Sequence, residues 1–135
     1  MAGFNKFNSF GAALANKKHD LANDQITIAL SNTMPTATDS VIADITEIDY
    51  TNLSSRDIVT ASSTHHEGTY SLVIEDLVLI ATGVVPDFRY VIFYNSTAAG
   101  GLLIGWYDSG NTHSLVDGGE FIIKLIEEQT LFEIE

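Results

Sequence analysis

The chain has no cysteine and four histidines, so a transition-metal site would have to be built from imidazole and carboxylate groups. His65-His66-Glu67 is the densest group of such ligands. Adjacent residues of an extended chain point to opposite faces, so His65 and His66 would not share one ion. His19 and His113 lie far off in sequence with no ligand spacing. The group reads as an exposed loop or strand end. Asp39, Asp44, Glu47 and Asp49 could collect an oxygen-loving cation, but their spacing is not that of a calcium loop, and they read as a solvated acidic face. Glu75-Asp76 and Glu127-Glu128 are paired carboxylates, the raw material of glycoside hydrolysis. That chemistry needs two carboxyl groups facing one another across a cleft, which neighbours on a strand do not do. There is no Gly-x-Ser-x-Gly and no Ser/His/Asp arrangement. Gly100-Gly101 reads as a turn rather than a phosphate cradle. The expectation is a protein with no catalytic residue, no bound metal and no cofactor.

Two further groups could act by contact. Trp106-Tyr107 follows Leu103-Ile104-Gly105, and Arg89-Tyr90 opens the apolar run Val91-Ile92-Phe93-Tyr94. Aromatics in a β fold either stack on sugars or fill a core with a polar tip at the rim, and core or interface is the expected role here. Arg89 is one of six cations and is expected to pair with a carboxylate of this chain or of a neighbour. Phe4, Phe7, Phe10 and Leu14 are spaced by three, three and four, the one-face spacing of a short amphipathic helix. That spacing predicts a helix over 6–18, with Lys17, Lys18 and His19 at the negative end of its dipole. Its aromatics either dock on the chain's own core, the reading favoured because short helices rely on packing, or meet a partner. The candidate interface residues are therefore Phe4, Phe7, Phe10, Leu14, Arg89 and Trp106.

The elements that must position these residues are mostly strands. Short runs rich in β-branched and aromatic residues, separated by polar or glycine clusters, predict strands at Gln25–Ser31, Val41–Ile48, Asp57–Ala61, Thr69–Asp76 and Val78–Thr82. Others are predicted at Tyr90–Asn95, Leu102–Tyr107, Glu120–Ile126 and Leu131–Ile134. Ile26, Ile28 and Leu30 alternate with Gln25, Thr27 and Ala29, as do Tyr70, Leu72 and Ile74 with Ser71, Val73 and Glu75, the pattern of half-buried strands. Ala99-Gly100-Gly101, Asp108-Ser109-Gly110-Asn111 and Asp117-Gly118-Gly119 are turn signals. No room is left for crossover helices, so the expected fold is mainly β, an antiparallel β-sandwich or barrel of about eight to nine strands with a short N-terminal helix.

At 135 residues the chain is expected to be one domain, 1–135, with an amphipathic helical segment over 1–20 and a β-sandwich over 25–135. Six Lys and Arg against eighteen Asp and Glu give a net charge of −12 and a pI near 4.4. Such a surface repels phosphate backbones, so no nucleic-acid partner is expected. No apolar run approaches the roughly 18 residues of a membrane span, and Met1 to Phe10 lacks the pattern of an export signal. No membrane association is expected.

Several segments, in order along nearly the whole chain, resemble a family of small tailed-bacteriophage virion proteins. They are Phe4-Asn5-Lys6-Phe7-Asn8-Ser9-Phe10, His19-Asp20-Leu21, Ile28-Ala29-Leu30-Ser31-Asn32-Thr33-Met34-Pro35 and Ala43-Asp44-Ile45-Thr46-Glu47-Ile48. Phe88-Arg89-Tyr90, Tyr94-Asn95 and Leu103-Ile104-Gly105-Trp106-Tyr107-Asp108 continue the series. The resemblance is to capsid decoration or cement proteins and implies a β-rich module, made in the host cytoplasm and bound in many copies to the outer surface of the head. It implies the major capsid protein as partner, self-association as a homotrimer, and no catalytic residues. The sequence departs from the family after Ile48, where Asp49-Tyr50-Thr51-Asn52-Leu53-Ser54-Ser55 replaces an expected glycine-rich stretch. The alternative is a tail or fibre module that recognises a surface glycan through Trp106. On the decoration reading, deletion of residues 1–14 is expected to leave a folded but less associated protein.

Overall fold

The computed structural model describes residues 4–123 and, as backbone, residues 130–134. The chain opens with β1 (Asn5–Lys6) and α1 (Asn8–Ala15). The helix is shorter at both ends than the 6–18 its spacing predicts. Lys6 is drawn into the sheet, opposite Gly105, and the C-terminus is closed by paired backbone bonds from Lys18 N to Ala13 O and from Lys17 N to Leu14 O. Lys17 takes φ +64°, the left-handed position that ends helices in this way. Lys17 and Lys18 therefore lie beyond the last turn instead of within it.

Next comes β2 (Ile26–Ser31), buried along its whole length although its sequence alternates. The alternation is real, but both faces are covered. Ile26, Ile28 and Leu30 enter the main core, while Ala29 belongs to a second cluster with Phe7, Ile45, Ile92, Leu103 and Trp106. The strand expected at Val41–Ile48 is absent. Ile42–Asp44 is a 3₁₀ turn, because Asp44 Oδ2 accepts the Ser40 and Val41 amides at 3.0 and 3.2 Å. Ile42, Ile45 and Ile48 recur every third residue, a period that suits a turn and not a pleat. The segment that follows lies along the open edge of β2. Ile48 N bonds Leu30 O, Ile28 N bonds Arg56 O and Ile58 N bonds Ile26 O.

The remaining strands are β3 (Thr60–His66), β4 (Thr69–Ile74), β5 (Leu77–Ile80), β6 (Val85–Asn95), β7 (Leu102–Leu115), β8 (Glu120–Ile123) and β9 (Thr130–Ile134). The expected strand Asp57–Ala61 is displaced onto β3, Asp57 itself forming an isolated bridge with Thr27. β6 begins before the expected Tyr90, and β7 continues through Asp108-Ser109-Gly110-Asn111. That segment is not a turn between strands, since register shifts along the β6–β7 pair and φ +94° at Gly110 absorb it. Lys124 to Ile126 of the expected eighth strand lies outside the described residues.

All pairings are antiparallel, in three separate sheets ordered β1-β7-β6-β2, β3-β4-β9 and β5-β8. Among the described residues none closes into a barrel. Leu72 and Ile74 of β4, Leu79 of β5, Phe88, Val91 and Phe93 of β6, Ile104 and Tyr107 of β7 and Ile123 of β8 belong to one core together with Ile28 of β2. The N-terminal segment is part of this packing. Phe7 and Phe10 are each 2 % exposed, and a Cβ at Gly105 would meet the Phe4 ring at 2.3 Å, so the chain can seat β1 against β7 only with glycine there.

These positions give deletion of residues 1–14 a different expected outcome from the one its sequence suggests. Phe7→Ala should destabilise the fold by about 3–5 kcal/mol, and removal of 1–14 should abolish cooperative urea unfolding. A truncated chain with an unchanged midpoint would show that the core does not depend on these rings.

Candidate functional site

The carboxylates singled out by spacing are engaged in local turns. Asp39 accepts from Thr36 N at 3.0 Å and Thr36 Oγ1 at 2.9 Å. Asp49 Oδ1 accepts from Thr51 N at 2.9 Å. Glu47 Oε1 accepts from the Tyr50 hydroxyl at 2.8 Å. The bonds from Ser40 and Val41 amides hold the Asp44 carboxyl below the usual carboxylate range, and those from Thr51 do the same for Asp49. Each is used where it stands, and among the described residues no three His, Asp or Glu side chains converge as a metal site. His65 and His66 end β3, and His66 meets only the exposed Glu67 at 3.8 Å. Glu67 and Gly68, both at positive φ, form the β3–β4 turn. Glu127-Glu128 lies outside the described residues.

Arg89 pairs with Asp108 across β6 and β7 through two bonds of 2.7 and 3.0 Å, so the expected carboxylate belongs to this chain. The guanidinium and the Gly110 amide together hold the Asp108 carboxyl low. Trp106 is 8 % exposed and packs edge-on against Tyr90. Phe7 and Phe10 are buried, while Phe4 and Leu14 are half-buried against the main core. Of the six candidate interface residues, Phe7, Phe10 and Trp106 thus have their side chains inside the fold.

A buried polar group that no spacing signalled ties the N-terminal segment to the end of β6. Asn95 Oδ1 accepts from the Thr97 and Ala98 amides at 3.0 and 3.1 Å, which fixes the orientation of its amide. Its Nδ2 donates to Asp24 Oδ2 at 2.7 Å and to His19 Nδ1 at 3.0 Å. Since Nδ1 accepts, the proton of the neutral ring sits on Nε2. That buried N–H has no partner among the described residues. Burial lowers the pKa of His19, opposed in part by the charge of Asp24. An open groove of about 650 Å³ beside it is lined by Leu14, Leu21, Ser63 and Tyr70, of which Ser63 and Tyr70 bond each other at 2.6 Å.

A different kind of site lies on β5 and β8. Their registers pair Leu77 with Ile123, Val78 with Ile122, Leu79 with Phe121 and Ile80 with Glu120. Leu79 and Ile123 are buried in the core, with Leu77 and Phe121 packed against it. The other face presents Val78, Ile80 and Ile122, which are 40, 43 and 53 % exposed. Glu120 stands on this face opposite Ile80, and the exposed Glu75 and Asp117 lie in the connections leading into β5 and β8. Val84 and Val116, also exposed, flank the neighbouring Val85–Leu115 pair. The result is an outward apolar surface bordered by carboxylates. Sequence alone predicts strands here and no site; the signal for this face is the continuous apolar runs Leu77-Val78-Leu79-Ile80 and Phe121-Ile122-Ile123, which belong to strands covered on both faces.

Compared with family models, with curated proteins and with solved structures, the chain matches none.

The His19 geometry sets a pH dependence. The unfolded ring titrates near 6.5 and the folded ring lower, so between those values the unfolded chain holds more protons and stability falls as pH drops. Urea midpoints measured from pH 8 to pH 5 should begin to decline near pH 6.5, by no more than about 1.4 kcal/mol per pH unit. His19→Gln should flatten that limb. A wild-type profile as flat as the variant's would contradict the neutral buried ring.

Proposed function

We propose that this chain is a structural protein of a tailed-phage virion, a capsid decoration or cement protein that binds the outside of the head and stabilises the shell. The observation that carries the reading is the outward face of β5 and β8. It is an outward apolar surface on a paired element, at the opposite end of the β6–β7 ribbon from α1. Such a surface suits a protein that works by docking, because an exposed apolar patch with a polar rim is how association sites are built. The segments that resemble the decoration family supply the kind of partner, the major capsid protein. They also supply the self-association as a trimer and the location on the virion surface.

The three sheets are read in the same proposal as a β-sandwich, the β1-β7-β6-β2 sheet on one side of the common core and the β3-β4-β9 and β5-β8 sheets on the other. A sandwich leaves one face of each layer outward, and an outward face made apolar can then dock without disturbing the core. Binding to the assembled shell, and not to free subunits, would stabilise it by mass action, by about 2.7 kcal/mol per site when the free protein is at a hundred times its Kd. The tail-module alternative rests on Trp106 as a sugar platform. A ring 8 % exposed offers little area for stacking, so the decoration reading is preferred.

Quantitative mass spectrometry of purified virions, scaled to the major capsid protein, should find hundreds of copies of this chain per particle. A handful of copies would move it to the tail, and none would remove it from the virion.

A further inference from the structure

Strands apolar on both faces are the mark of a sheet covered on both sides, and the described residues cover only one side of β5 and β8. The geometry points to a specific occupant of the other. We infer that the face formed by Val78, Ile80 and Ile122 docks a basic protein surface, apolar at its centre and carrying Lys or Arg at its edge. The inference rests on the docking reading above and deepens it by naming the chemistry of the partner.

Charge decides among the occupants. Glu120 lies on the face itself, and Glu75 and Asp117 border it. The five described cations are placed elsewhere. Lys6, Lys17 and Lys18 flank α1, Arg56 lies over the Tyr50 ring at 3.7 Å, and Arg89 is held by Asp108. A nucleic acid or an anionic membrane would meet Glu120 on the face and Glu75 and Asp117 in the connections beside it. A second copy docking the same face across a two-fold axis would bring Glu120 against the equivalent region of its partner, with −12 on each chain and little screening at contact distance. A basic protein surface turns each of these repulsions into attraction. The apolar centre then supplies the burial, and the rim supplies rate and orientation.

The test uses the full chain, labelled with ¹⁵N, and two synthetic amphipathic helical peptides, one of Leu and Lys and one of Leu and Glu. The Leu/Lys peptide should shift the amide signals of Val78, Ile80 and Ile122 selectively, and the Leu/Glu peptide should not. The double substitution Val78→Asp with Ile122→Asp should abolish the effect, and Glu120→Lys should weaken it about fivefold at low salt, the worth of about 1 kcal/mol. If the double Asp variant does not fold, Val78→Thr with Ile122→Thr keeps the branched shape and serves instead. Shifts spread over all surface carboxylates, equal binding of both peptides, or a wild-type dimer that the double variant dissociates would each overturn the inference. A second arm measures rebinding to shells stripped of this chain. Rebinding of wild type but not of the double variant supports the contact, and rebinding of both overturns it. Failure of wild type to rebind would overturn the decoration reading by itself, while the peptide result would still judge the face.

Discussion

β6 and β7 are paired over nearly their whole length, and the sheet they share with β2 is apolar on both sides. A sheet of that kind is stable only with a cover on each face, and most of the chain serves as one cover or the other. On one side, β4, β5 and β8 contribute Leu72, Ile74, Leu79 and Ile123 to the main core. On the other, Phe7 and Ile45, just after the 3₁₀ turn, close over Ala29, Ile92 and Trp106. The N-terminal aromatics are thereby committed to the fold. Gly105 is what lets β1 lie close enough to bring Phe4 and Phe7 into place, since any side chain there would collide with Phe4 and the Asn5 carbonyl.

The same sheet needs its edges protected, and the 48–58 segment does this for β2. Tyr50 inserts its hydroxyl between Leu30 and Glu47, accepting the Leu30 amide at 3.0 Å. Burial pushes its phenol well above the ordinary value. Arg56 stacks on the Tyr50 ring and donates to Ile28 O at 2.7 Å, so one cation satisfies an edge carbonyl while covering an aromatic face. An edge strand otherwise offers a row of unpaired donors and acceptors to any passing chain. Tyr50 could not be replaced by glycine without opening this edge, since its ring and hydroxyl hold Arg56 and the Leu30 amide.

What could be read from the residues was set by how local each signal is. The strands β2 and β4 and the hairpin glycines were legible because alternation and turn chemistry act over a few residues. The Val41–Ile48 strand was misread because its isoleucines recur at three and not two, a difference visible in the sequence but outweighed by β-branched content. β7 was cut short at Asp108–Asn111 because a bulge held by glycine looks like a turn until the partner strand is known. The His19–Asn95 link joins residues 76 apart, and no period or motif predicts such a pair. The apolar run of β5 was read correctly as a strand, while its second message, that both faces require a cover, emerged only when the structure supplied a cover for one.

An apolar strand face left open carries a hazard, since it can meet the same face of another copy. The placement of Glu120 opposite Ile80 addresses that hazard directly. A charge within the apolar row must be desolvated if two such faces close on one another, and no described cation stands near to compensate it. A partner that brings its own Lys or Arg to that position removes the cost and gains a charge-assisted contact in the same step. On the proposed docking, one carboxylate thus acts against the pairing of this face with its own copy and for the orientation of the partner.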